Sequence, residues 1–115
     1  MNTQTPAIDP QLAISNAGGD PALAKDLYRM LQEELPGYLN TIPASYQQAD
    51  YDKLYQHVHK LNGSATYCGV PALKQATQTF EQHIKQSREE IYAEDLAFLC
   101  EQIQRLMAIP ELETN

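Results

Sequence analysis

Apolar residues recur along this chain three and four positions apart, and no stretch alternates with the period of two that a strand requires. Asp9-Pro10 reads as a helix N-cap followed by a first-turn proline, and Ala17-Gly18-Gly19 stops that short helix. Asp20-Pro21 repeats the start signal. Leu23, Leu27, Met30, Leu31, Leu35, Tyr38 and Ile42 then predict one long amphipathic helix to about Gln48, bent at Pro36 and Pro43. Asp50 is a natural cap for the next helix, whose stripe is Leu54, Val58, Leu61 and Ala65. Tyr67-Cys68-Gly69-Val70-Pro71 breaks it, and Pro71 opens a helix that buries Leu73, Ala76, Thr77, Phe80 and Ile84. Ser87-Arg88-Glu89-Glu90 has capping-box spacing ahead of a last helix lined by Tyr92, Leu96, Leu99, Cys100, Ile103, Leu106 and Met107. The expected fold is all-α: an antiparallel up-down-up-down four-helix bundle with a short N-terminal helix laid against it. The domain is expected to span 8–109, with flexible tails at 1–7 and 110–115.

Within the third predicted helix, His59 stands one turn before Gly63. A helical glycine costs about 1 kcal/mol relative to alanine, so it asks for a reason. Each residue advances roughly 100° around the axis, which puts His59 roughly 130° from the centre of the apolar stripe, on the solvent side. Asp52, Tyr55, Gln56, Asn62, Gly63 and Thr66 share that side, so close core packing does not account for Gly63. A bare turn beside an exposed histidine leaves room for a partner to reach the ring. Tyr55, Gln56, Asn62, Gly63 and Thr66 are the candidate docking positions around it. His57 falls roughly 160° away and cannot cooperate with His59. A helical two-histidine metal site wants i,i+4 spacing, and His83, Cys68 and Cys100 complete no ligand set.

Charge and composition narrow the partners. The 115 residues suit one domain, and 43% hydrophobic against 20% charged residues suits a globular protein. Eight scattered Lys and Arg against a net charge of −7 disfavour nucleic acid and favour a protein partner. No apolar run is long enough to span a membrane, and no secretory signal opens the chain. Two cysteines make no disulfide framework, so free thiols in the cytoplasm are expected.

His59-Lys60-Leu61-Asn62-Gly63-Ser64-Ala65, the Tyr67-Cys68-Gly69-Val70-Pro71 loop and the four-helix order together resemble the histidine-containing phosphotransfer (HPt) domain family. The likeness is closer still to the C-terminal HPt domain of BarA/GacS-type tripartite hybrid sensor kinases, and runs from about Ile8 to Met107. It implies that His59 accepts a phosphoryl group on Nε2 and that Glu81 lies beside it and holds Nδ1–H. From spacing alone, Glu81 also suits an ion pair with Lys85 at i+4. The family's usual lysine three residues after the histidine is Asn62 here, which leaves Lys60 as the candidate for charge support. The implied function is a phosphorelay intermediate without kinase activity of its own. It would take the phosphoryl group from a receiver-domain aspartate of a hybrid sensor kinase and pass it to a response-regulator aspartate. No cofactor of its own is expected, magnesium belonging to the receiver, and the domain is expected to be monomeric. The alternative is a non-phosphorylated adaptor that docks receivers.

Overall fold

The computed structural model describes residues 5–113, and every regular element among them is helical. These are α1 (Pro10–Asn16), α2 (Pro21–Gln47), α3 (Tyr51–Thr66), α4 (Pro71–Lys85) and α5 (Tyr92–Met107), with a 3₁₀ turn, Glu89–Ile91, ahead of α5. The Asp caps form as expected. Asp9 accepts from the Leu12 N–H, Asp20 from Ala22 and Leu23, and Asp50 from Lys53, each relieving a donor orphaned at a helix start. α2 packs on α3, α3 on α4, α4 on α5 and α5 back on α2, while across the α3–α5 diagonal the rings of Tyr51 and Tyr92 meet edge to face with centroids 5.2 Å apart. Short connections between successive helices make this a closed antiparallel four-helix bundle, with α1 laid against α2.

The long helix corrects the stripe expected from the largest apolar residues. Its buried positions are Ala24, Tyr28, Leu31, Leu35, Tyr38, Ile42 and Ser45, alternately four and three apart, the repeat of a left-handed helix seam. Leu23 and Met30 are exposed, and Leu27 is only half-buried. Pro36 and Pro43 remove backbone donors yet do not break α2. A mid-helix proline costs about 3 kcal/mol. The buried seam runs past both prolines, from Leu31 to Ser45, and its packing holds the helix together across them. Buried Ser45 satisfies its hydroxyl on Thr41 O at 2.9 Å.

Ser87 ends α4 rather than capping α5. It takes a left-handed φ of 55°, its N–H bonds Ile84 O, and the next N–H, from Arg88, reaches back to His83 O. The same six-to-one closure ends α1 (Gly19 to Ile14) and α2 (Asp50 to Ser45), around Gly18 and Ala49. In α5, Met107 is exposed and Gln102 takes a buried place.

Both expected tails pack on the bundle where they are described. Pro6 O accepts the Ala72 N–H at 3.1 Å, and Leu112 is buried in the core. Residues 1–4 and 114–115 lie outside the described residues. Gly69 fastens α1 to the α3–α4 turn. Its carbonyl accepts the Asp9 N–H at 2.8 Å, its φ is +67°, and a Cβ there would meet Ala13 Cβ at 2.6 Å. Only glycine suits a left-handed position so tightly approached.

Candidate functional site

The apolar stripe of α3 (Leu54, Val58, Leu61, Ala65) is buried, and that fixes which way His59 points. The His59 side chain is 62% exposed, whereas Glu81, on the adjacent helix α4, is only 12% exposed. His59 Nδ1 lies 3.1 Å from Glu81 Oε2. A carboxylate can only accept, so the proton of this contact belongs to Nδ1, and the unprotonated Nε2 is left as the nucleophile. Glu81 Oε1 is enclosed without a hydrogen-bond donor among the described residues. The polar contacts of Glu81 are therefore on Oε2, which also lies 3.8 Å from Lys85 Nζ.

Tyr55, one turn before His59, stacks on the imidazole with ring centroids 5.5 Å apart and planes 12° apart. Lys85 Nζ sits 5.9 Å from the Tyr55 centroid as well as near Glu81. The histidine ring is thus held by a carboxylate at Nδ1 and by a tyrosine against its face.

From this cluster a polar seam runs between α3 and α4. Asn62 Oδ1 accepts from buried Thr77 Oγ1 at 3.0 Å and from Lys74 Nζ at 3.1 Å, and Lys74 Nζ also reaches Thr66 Oγ1 at 2.9 Å. Ascending α3 through His59, Asn62 and Thr66 meets α4 descending through Glu81, Thr77 and Lys74, as antiparallel helices require. These residues recur at i, i+3 or i+4, and i+7, the spacing of one helix face.

The other candidate positions fall as follows. Gln56, Gly63 and Thr66 are exposed, Tyr55 and Asn62 are half-buried, and a Cβ on Gly63 would meet nothing within 4 Å. Lys60 lies on the α2 flank, lining a depression with Glu33, Glu34, Gly37, Tyr38, Thr41 and His57, away from the α4 seam. Ser64 also turns to α2, donating to Glu34 Oε1 at 3.1 Å. His83 is engaged elsewhere, its Nδ1 2.7 Å from Asp95 Oδ2 on α5. Sequence reasoning missed Lys74. It lies beyond a loop from Asn62, and only the antiparallel return of α4 reveals the pairing. The signal available was its spacing of seven from Glu81, which shares a helix face with it.

Among the described residues no three His, Cys, Asp or Glu side chains are grouped to hold a metal, and no helix is long and apolar enough to cross a membrane.

Known proteins resemble this chain. The chain is 36% identical over 83 residues to the signal transduction histidine-protein kinase BarA of Escherichia coli (strain K12), covering 72% of this chain and 9% of that protein. It is 33% identical over 93 residues to the sensor histidine kinase GacS of Pseudomonas protegens, covering 81% of this chain and 10% of that protein. The chain therefore spans about a tenth of the length of these relatives. A crystal structure of the HPt domain of a hybrid sensor histidine kinase from Shewanella superposes with a TM-score of 0.83 at 24% identity, over 90% of each chain. The Hpt domain family model matches residues 26–109, the greater part of the chain, and with these relatives it shows that the chain belongs to the Hpt domain family.

Proposed function

We propose that this domain is a phosphorelay intermediate of two-component signalling, in which His59 accepts a phosphoryl group from a receiver-domain aspartyl phosphate and returns it to the aspartate of a response regulator. The observation that carries the reading is the exposed His59 ring, held at Nδ1 by the nearly buried Glu81, which leaves Nε2 as the uncommitted ring nitrogen.

The chemistry follows from that arrangement. The lone pair on Nε2 attacks phosphorus, the P–O bond to the receiver's aspartate breaks, and its electron pair stays on the leaving carboxylate. The proton remains on Nδ1. The ring becomes cationic as it gains the phosphoryl group, and the Glu81 carboxylate stabilises that charge, so no separate proton acceptor is needed. Reversal delivers the group to a second receiver. Such transfer depends on positioning and on electrostatic stabilisation. Magnesium and the acidic pocket that binds it belong to the receiver, and this domain acts as a carrier without kinase activity of its own. It works as a monomer on the cytoplasmic side, where receivers are found.

The test is incubation with receiver domains charged by a small-molecule phosphodonor. The domain is expected to gain label that is acid-labile and base-stable, the behaviour of phosphohistidine. Absence of label from every receiver tried would replace the relay with an adaptor that docks receivers unphosphorylated.

A further inference from the structure

We propose that Lys74, on α4, supplies the cation that meets the phosphoryl oxygens at His59. The inference rests on the phosphoryl-acceptor reading of His59 and adds to it a residue from the opposite helix.

A phosphoryl group in transfer spreads negative charge over its equatorial oxygens, and a preorganised cation is an effective partner for it. His59 has a carboxylate for a neighbour, Glu81 on its Nδ1. Of the lysines near this face, Lys85 is committed to Glu81 and to the Tyr55 ring. Lys60 lies in the depression that Glu33 and Glu34 line. Lys74 differs from both. Its ammonium rests on two neutral oxygens, Asn62 Oδ1 and Thr66 Oγ1, and among the described residues no carboxylate lies within salt-bridge distance of it.

Asn62 places that charge. It stands at i+3 from His59, about 4.5 Å further along the axis on the same side of α3. Its Oδ1 is aimed at α4 by the bond from Thr77, whose side chain is fully buried, so the amide is held from below while Lys74 approaches from the rim. From Asn62 the ammonium, on a flexible four-carbon stem, has about three residues of helix rise to cover, roughly 4.5 Å, to reach the level of His59. The move exchanges neutral acceptors for anionic phosphate oxygens, adding attraction between opposite charges to bonds that the ammonium already makes charge-assisted. Asn62 and Thr66 thus act as the resting place of the ammonium, and Gly63 beside them leaves the path open.

Transfer from a phosphorylated receiver, followed by rapid quench, tests the assignment with four proteins: wild type, Lys74→Met, Lys74→Arg, and the double variant Asn62→Lys with Lys74→Met. The methionine variant is expected to transfer at least about ten-fold more slowly while melting as wild type does, since one charge-stabilising donor contributes on the order of 10²–10³ in a closed site and less in an open one. Arginine is expected to restore most of the rate. So is the double variant, which moves the ammonium from α4 to α3, and Thr77 can still donate to Leu73 O. A wild-type rate for Lys74→Met overturns the proposal and leaves His59 as acceptor untouched. A slow Lys74→Met that neither arginine nor the relocated lysine rescues also overturns it, because the loss then lies in seam packing. Failure of wild type itself to accept label overturns the acceptor reading and this inference with it.

Discussion

His59 and Glu81 meet at 3.1 Å across the α3–α4 interface, with the ring largely in solvent and the carboxylate largely out of it. The asymmetry has a use. A buried carboxylate does not wander with the solvent, so it fixes the tautomer and tilt of a ring that must itself stay accessible. The enclosed, donor-free Oε1 is the cost, since buried polar atoms are normally paired.

Replacing Glu81 with alanine is therefore expected to slow phosphoryl transfer by about 10- to 100-fold, the range found when the carboxylate that orients a metal-ligating histidine is lost. Helicity should be retained, because Glu81 contributes no apolar packing to the core. Glu81→Gln should also be slow, as it keeps the hydrogen bond and loses the charge that stabilises the phosphorylated ring. Quench-flow rates at wild-type values for both variants would return Glu81 to a simple ion pair with Lys85.

Selectivity among the three histidines follows from their surroundings. His83 is tied to Asp95 at 2.7 Å, and His57 is half-buried on the α2 flank beside Glu33 and Glu34. His59→Gln is expected to abolish labelling while shifting stability by no more than about 0.5 kcal/mol, as exposed substitutions generally do. His57→Gln and His83→Gln should still accept. Label on His59→Gln would move the acceptor elsewhere.

The sequence carried the bundle because its signals are local: Asp caps, prolines in first turns, and an apolar period that the shorter helices α3 and α4 follow closely. It misled where size stood in for burial. Leu23 and Met30 look like core and are exposed, while Ala24 and Ser45 are buried, because a stripe repeating every 3.5 residues drifts away from one drawn at 3.6. Ser87 misled because a capping-box spacing cannot reveal a left-handed φ. His59, Asn62 and Gly63 could be put on one face from α3 alone. Lys74 could not, since its pairing with Asn62 depends on the register of two helices joined by a turn.

Leu61 measures how firmly α3 is held. It is fully buried opposite the site, and Leu61→Ala is expected to destabilise the fold by about 2–5 kcal/mol, the transfer loss plus the cavity left behind. Urea unfolding is the measurement, and a loss below about 1 kcal/mol would mean that the stripe collapses readily around the gap.

Cys68 predicts an alkaline limit. Burial, with a smaller contribution from Glu34, raises its thiol from 9.0 to about 11, and Tyr28 and Tyr92 are raised as well, chiefly by burial. The folded state therefore keeps these protons to higher pH than the unfolded chain does. Their contribution is complete below the unfolded values and is lost as pH rises through the folded ones. The melting temperature should fall from pH 9 towards pH 11, and less steeply in Cys68→Ala, with the tyrosines supplying the remainder. Native-state alkylation of Cys68 should stay slow at pH 9. Fast alkylation there would show that the turn at Cys68–Gly69 opens.

Gly63 separates stability from function most cleanly. A side chain there meets nothing within 4 Å, and its φ is not in the left-handed region, so leucine fits the helix without strain. Leucine is also the better helix former by nearly 1 kcal/mol, so Gly63→Leu should melt at or above the wild-type temperature. The new side chain nevertheless projects one turn from His59 on the same solvent-facing side, where a receiver must close for in-line transfer. Transfer should slow well beyond any change that helix propensity could cause, and Gly63→Ala should fall between the two. If Gly63→Leu gains stability and accepts phosphoryl groups at the wild-type rate, the receiver approaches from another side of the ring and the glycine has no part in access.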